Sequence, residues 1–122
     1  MDSIILHSER FAVVKTDEIP NDFFVVIKFN DFTTVVPEGI VDELKPKEVE
    51  GCFRLITFNV KLPFNTVGFI SKISKALAEA NIPILVFSSY HTDHILVKDE
   101  LVEKAIETLR SIGFKVERGD AI

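Results

Sequence analysis

Two serines, a tyrosine, two histidines, a threonine and an aspartate are crowded into FSSYHTDHILV, residues 87–97. Such residues can ligate a metal, move a proton or line a ligand pocket. Alternate residues of a strand share a face, so His91 and Asp93 point one way and His94 the other. Two ligands do not close a zinc site, which takes three or four, and the only other histidine, His7, is distant in sequence. No metal and no cofactor is expected. Hydrolysis would pair Asp93 with His94 and take a nucleophile from Ser88, Ser89 or Thr66, but no G-x-S-x-G elbow is present. The single cysteine, Cys52, reads as a small buried apolar residue. No catalytic residue is expected.

Binding chemistry fits the residue types better. The loop PFNTVG, residues 63–68, leads into a helical pattern, and the free amides and dipole of a helix start favour an anion. Gly68 costs roughly 1 kcal/mol against Ala within a helix, less near its end. Its missing side chain suits close approach by a ligand, or tight packing of helix on sheet. Asp93 for an ammonium and the amides of Thr66, Val67 and Gly68 for a carboxylate would together grip an α-amino acid.

The elements that must position these groups read as follows. Residues 11–16 (FAVVKT) are a short strand. Residues 23–29 and 32–36 flank Asn30-Asp31 as a hairpin, closed by Pro37. Residues 38–50 (EGIVDELKPKEVE) are an acidic connection in which Pro46 limits helix to a turn or two. Residues 53–62 are a strand. A helix follows over 67–80, capped by Asn65 or Thr66, with Ile70, Ile73, Leu77 and Ala80 as its buried stripe. Asn81 in the left-handed region and Pro83 end it. Strands at 82–89 and 93–97 turn at Tyr90-His91-Thr92. Asp99 caps a second helix over 100–112, with Gly113 as its stop, and 114–118 is a last strand.

The order β-α-β-β-α-β over 53–118 is the split-βαβ, ferredoxin-like pattern, an antiparallel sheet with both helices on one face. That fold hosts many functions. A metal chaperone needs Cys-x-x-Cys, and this chain has one Cys. An acylphosphatase-like site needs an anion loop with an Arg. Arg54 is near the first strand, but PFNTVG offers one glycine and no further Arg. An RNA platform needs exposed aromatics with basic residues, and the central-strand candidates Phe58 and Phe87 sit in a protein of net charge −5. No nucleic-acid partner is expected.

The chain has 122 residues, 47% apolar and 27% charged, enough for one ordinary domain or two very small ones sharing a core. Eleven Phe, one Tyr and no Trp suit a dry core whose rings need no hydrogen-bond partner. No apolar run approaches a membrane span, and MDSIILHSER lacks the ordered regions of a secretory signal. A cytoplasmic protein with no membrane contact is expected.

Thr66 to Ile70, Ala80-Asn81-Ile82-Pro83 and Ser88 to Val97, preceded by RFAVVKT and FFVVIKFNDFTTVVPE, resemble the small tandem ACT-domain proteins. These are the prokaryotic relatives of the eukaryotic arginine sensors called CASTOR. The resemblance covers nearly the whole chain and is most specific in SSYHTDHILV. It departs from the family's Ser-Thr-Tyr-Asp at Ser88-Ser89-Tyr90-His91, and Val67 separates Thr66 from Gly68.

The resemblance implies an α+β fold of two ACT-like βαββαβ units, the first short or degenerate, over 1–50 and 51–122. It implies a small ligand, usually an amino acid, bound between ACT units by Gly68, Ser89, Tyr90, Thr92 and Asp93. The expected function is a non-enzymatic, allosteric, amino-acid-binding regulatory protein. It would act as a homodimer on an unidentified regulated protein. The alternative is a structural or dimerisation module without ligand.

Overall fold

The computed structural model describes residues 2–60 and 67–119. The chain divides into two compact units, one of residues 1–8 with 54–122 and one of Glu9–Phe53. The division falls within the two long strands β1 (Ser3–Thr16) and β4 (Glu48–Asn59), whose ends belong to different units. The acidic connection at 38–50 lies wholly inside the smaller unit.

In the smaller unit, β2 (Val25–Phe29) and β3 (Asp31–Pro37) form the expected hairpin. Asn30 sits at its tip with φ 68°, a conformation that Asn tolerates better than most residues. β3 pairs antiparallel with β1, from Phe11↔Pro37 to Thr16↔Phe32. A 3-10 turn (Glu38–Ile40) and the one-turn helix α1 (Val41–Leu44) follow. Lys45 then turns left-handed (φ 48°) ahead of Pro46, which disfavours helix in the residue before it. Ala12, Val14 and Val36 form the core here, covered by Ile40, Val41 and Leu44.

β4 begins five residues earlier than the sequence pattern predicts. The reason is pairing rather than propensity. Lys47 N–H donates to the Lys15 carbonyl at 2.8 Å, and Lys15 Nζ lies 3.6 Å from Glu48. A strand partner overrides the weak strand tendency of Glu-Val-Glu.

In the larger unit, β4 is followed by α2 (Phe69–Glu79), the hairpin β5 (Leu85–Ser89) and β6 (Thr92–Lys98), then α3 (Val102–Ser111) and β7 (Lys115–Gly119). The element order is the predicted β-α-β-β-α-β. The strand order is β7-β1-β4-β6-β5. The split-βαβ expectation of a wholly antiparallel sheet is thus corrected: Ser3–His7 of β1 stands between β7 and β4 and runs parallel to β7. Side chains stitch this insertion. Asn59 Nδ2 donates to Ser3 Oγ at 3.3 Å, and Ser3 Oγ donates to Glu117 at 3.0 Å.

Both helices pack on one face. Ile4 and Leu6 of β1, Ile56 and Phe58 of β4, and Ile95 and Val97 of β6 meet Ile73 and Leu77 of α2 and Val102, Ala105, Ile106 and Leu109 of α3. The two helices end alike. Asn81 (φ 61°) and Gly113 (φ 109°) take the left-handed position. Ile82 N–H and Phe114 N–H reach back to the Leu77 and Leu109 carbonyls at 2.9 and 3.1 Å. This is the Schellman termination, and it drops Ile82 and Phe114 into the core.

Two helix starts differ from expectation. α2 begins after Gly68 (φ 88°), which takes the cap position without a side-chain hydrogen bond. Asn65 and Thr66, the expected caps, lie outside the described residues. Asp99 does not cap α3: it opens a 3-10 turn (Asp99–Leu101), and Arg54 Nη1 donates to its carboxylate at 3.4 Å.

Candidate functional site

The β5–β6 hairpin pairs Ser88 with Asp93 and Ser89 with Thr92, leaving Tyr90 and His91 as its two-residue turn. Tyr90 has φ 21° and is 74% exposed, and its ring meets the His91 ring edge-on at 4.3 Å. The strand period of two splits the polar residues between faces. Asp93 shares the face of Ile95 and Val97, which pack against the helices, and accepts a hydrogen bond from Ser88 Oγ. Ser89 and Thr92 lie on the opposite face, with His94. On the helix side, α2 opens at Gly68, and Val67 just before it is 94% exposed. Thr66 lies outside the described residues.

On the face turned from the helices, hydrogen bonds cross four strands. Ser89 Oγ of β5 is 2.7 Å from His94 Nε2 of β6. His94 Nδ1 is 2.9 Å from Thr57 Oγ1 of β4, and Thr57 Oγ1 is 2.8 Å from His7 Nε2 of β1. His7, Thr57 and His94 are all buried. Burial pushes the His94 pKa below its ordinary value, nearby His7 lowers it further, and Asp93 acts the other way. A buried imidazole in this setting is held neutral.

His7 is distant from His94 in sequence, and nothing in the spacing of FSSYHTDHILV points to it. The alternation in SIILH, with Ile4 and Leu6 on one face and His7 on the other, is the signal that could have found it. Phe58, considered above as an exposed aromatic, is instead fully buried. It packs edge-on to Phe69 and Phe114 at 5.5 Å from each.

Among the described residues no three His, Cys, Asp or Glu side chains converge as a metal-holding group, and no helix is long and apolar enough to cross a membrane. Cavities of about 480 and 280 Å³ lie in the smaller unit and one of about 410 Å³ in the larger. The residues predicted to hold a ligand line none of these three.

The fold has clear relatives. A protein of unknown function from Vibrio cholerae matches with a TM-score of 0.78 at 22% identity, over 88% of this chain and 86% of that one. A protein from Agrobacterium tumefaciens matches with a TM-score of 0.76 at 19% identity, over 96% and 92%. The regulatory subunit of aspartate kinase from Thermus thermophilus matches with a TM-score of 0.64 at 12% identity, over 88% and 94%. At these identities the likeness is one of fold. No curated protein matches the chain by sequence. The ACT domain family model matches residues 48–111, the stretch from β4 through both helices and the β5–β6 hairpin to the end of α3, and by that match the chain belongs to the ACT domain family.

Proposed function

We propose that this chain is a non-enzymatic regulatory ACT protein that binds an α-amino acid. The observation that carries the reading is the face shared by Asp93 and helix α2. Asp93, oriented by Ser88 Oγ, lies on the sheet face that packs against α2, whose first turn begins at Gly68 with no side-chain cap. In this reading Asp93 receives the ammonium, and the amides of Thr66, Val67 and Gly68 and of the first helical turn receive the carboxylate. Tyr90 at the hairpin tip adjoins this site in the reading, while Ser89 and Thr92, which the family resemblance also assigns to the ligand, belong to the opposite sheet face.

The reading extends to the likeness with the small tandem ACT proteins related to CASTOR. Residues 1–50 then stand for a reduced first ACT-like unit, the working form is a cytoplasmic homodimer, and occupancy is passed to a regulated protein. The likeness to an aspartate kinase regulatory subunit supports regulation as the class of function.

A thermal-shift screen against the twenty amino acids tests this. A ligand that binds only the folded state stabilises it by about 2.7 kcal/mol at a hundredfold excess over Kd. One amino acid is expected to raise the Tm, and Asp93→Asn to abolish that shift with the unliganded Tm retained. A folded Asp93→Asn protein that still responds would remove Asp93 from the site. A dimer that responds to no amino acid would favour the dimerisation module instead.

A further inference from the structure

The cavity of about 410 Å³ in the larger unit is lined by Leu6, Ser8, Arg54, Arg118 and Gly119. Among the described residues its lining includes two arginines, each with one carboxylate beside it, Asp99 for Arg54 and Glu103 for Arg118, in a chain whose acidic residues outnumber its basic ones by 19 to 14. Arg118 stands directly opposite Leu6 in the β1–β7 register, so the two share one sheet face.

Arg54 is the unusual member. Its side chain is only 14% exposed, and burying a guanidinium is costly unless it is well bonded. Nε and Nη2 donate to the His7 carbonyl at 3.3 and 3.0 Å, and Nη1 donates to Asp99 at 3.4 Å. These bonds use three of the five N–H groups of a guanidinium. One N–H remains on each terminal nitrogen of an arginine fixed in place. Arg118 is the more exposed of the two: its side chain is 55% exposed, with Nη2 3.3 Å from Glu103. An exposed pair of that kind contributes little and is readily exchanged.

We propose that this cavity is a binding site for a small phosphomonoester, with the phosphoryl oxygens held by Arg54 and Arg118 and a further hydrogen bond from Ser8 Oγ. Paired arginines suit a dianionic tetrahedral group because their planar forks donate two bonds at a time. The volume is of the size that takes a small organic molecule rather than a bare ion. Leu6 supplies an apolar floor for the rest of it. The site shares no residue with the proposed amino-acid site.

Isothermal titration of the full chain with glycerol 3-phosphate, inorganic phosphate and succinate tests the assignment. Saturable binding of glycerol 3-phosphate is expected, with inorganic phosphate weaker and succinate weaker still. Arg118→Gln should weaken glycerol 3-phosphate binding by about tenfold or more, since a hydrogen bond to a charged group is typically worth about 1.5–3 kcal/mol. Its Tm without ligand should match the parent, because the side chain is exposed. Arg110→Gln, outside the cavity, should bind like the parent. No saturable response to either phosphate up to roughly 10 mM, a regime of affinity too weak to be specific, would overturn the proposal. So would a response unchanged in Arg118→Gln, or succinate binding more tightly than glycerol 3-phosphate.

Discussion

Thr57 Oγ1 stands 2.9 Å from His94 Nδ1 in the middle of the sheet face turned away from the helices. The same oxygen is 2.8 Å from His7 Nε2, so a single hydroxyl joins two buried imidazoles. The hydroxyl has one hydrogen to give. With both rings neutral, or with one charged, one histidine can donate to Thr57 and the other accept from it. With both charged, both nitrogens donate and the hydroxyl hydrogen loses its acceptor.

Thr57→Val keeps the shape of the side chain and removes the bridge. Each imidazole then loses one buried hydrogen-bond partner. A cost of about 1–3 kcal/mol is expected, as for a polar group left unsatisfied in a protein interior. Urea denaturation followed by far-UV circular dichroism measures it. A variant as stable as the parent would mean that the bridge contributes nothing to folding.

The depressed pKa of His94 ties stability to pH. Its ordinary value is 6.5, and burial followed by the nearby His7 lowers it in the folded protein. Below 6.5 the unfolded chain takes up the His94 proton first, so it binds more protons than the folded one and stability falls as pH falls. The His94 contribution is fully present above 6.5 and is lost progressively down to the folded-state value. Denaturation midpoints across pH 5–8 should decline on the acid side, and His94→Gln should flatten that decline. An equally steep profile in His94→Gln would assign the pH dependence to other groups.

Asn81 and Gly113 terminate their helices in the same way but with different residue types. At φ 61° Asn is tolerated, Ala carries a penalty of roughly 1–2 kcal/mol and Gly carries none. Asn81→Ala should therefore lower stability by about 1 kcal/mol, and Asn81→Gly should hold or raise it. Matched thermal melts of the two variants decide this. If Ala is no worse than Gly, the left-handed termination is not what ends α2.

Several local signals in the sequence were good guides, although Asp99 was not the helix cap that its position suggested. Asn30, Asn81 and Gly113 announce positive φ, Ile73, Leu77, Val102, Ala105, Ile106 and Leu109 announce buried helix faces, and Pro46 announces the end of α1. The features that escaped depend on partners distant in the chain. Nothing local says that Ser3–His7 pairs with 115–119, because strand pairing is decided by what else the sheet edge can find. Once that pairing is hidden, so are the His7–Thr57–His94 bridge and the Arg54 bond to the His7 carbonyl. The hairpin residues 88–93 were legible as a polar cluster, and the alternation that separates Ser89 and Thr92 from Asp93 was already in the spacing.

Phe58 and Phe29 show how little residue type alone settles. Phe58 is fully buried between the Phe69 and Phe114 rings, whereas Phe29 at the end of edge strand β2 is 80% exposed. Removing the buried ring takes away its transfer free energy and leaves a cavity that the sheet can only partly close, so Phe58→Ala should cost about 3–5 kcal/mol. Phe29→Ala loses almost no buried area and should change stability by less than about 0.5 kcal/mol. Chemical denaturation of the two variants checks both at once. A loss at Phe29 comparable to that at Phe58 would mean that the β2 edge is covered in solution by another surface.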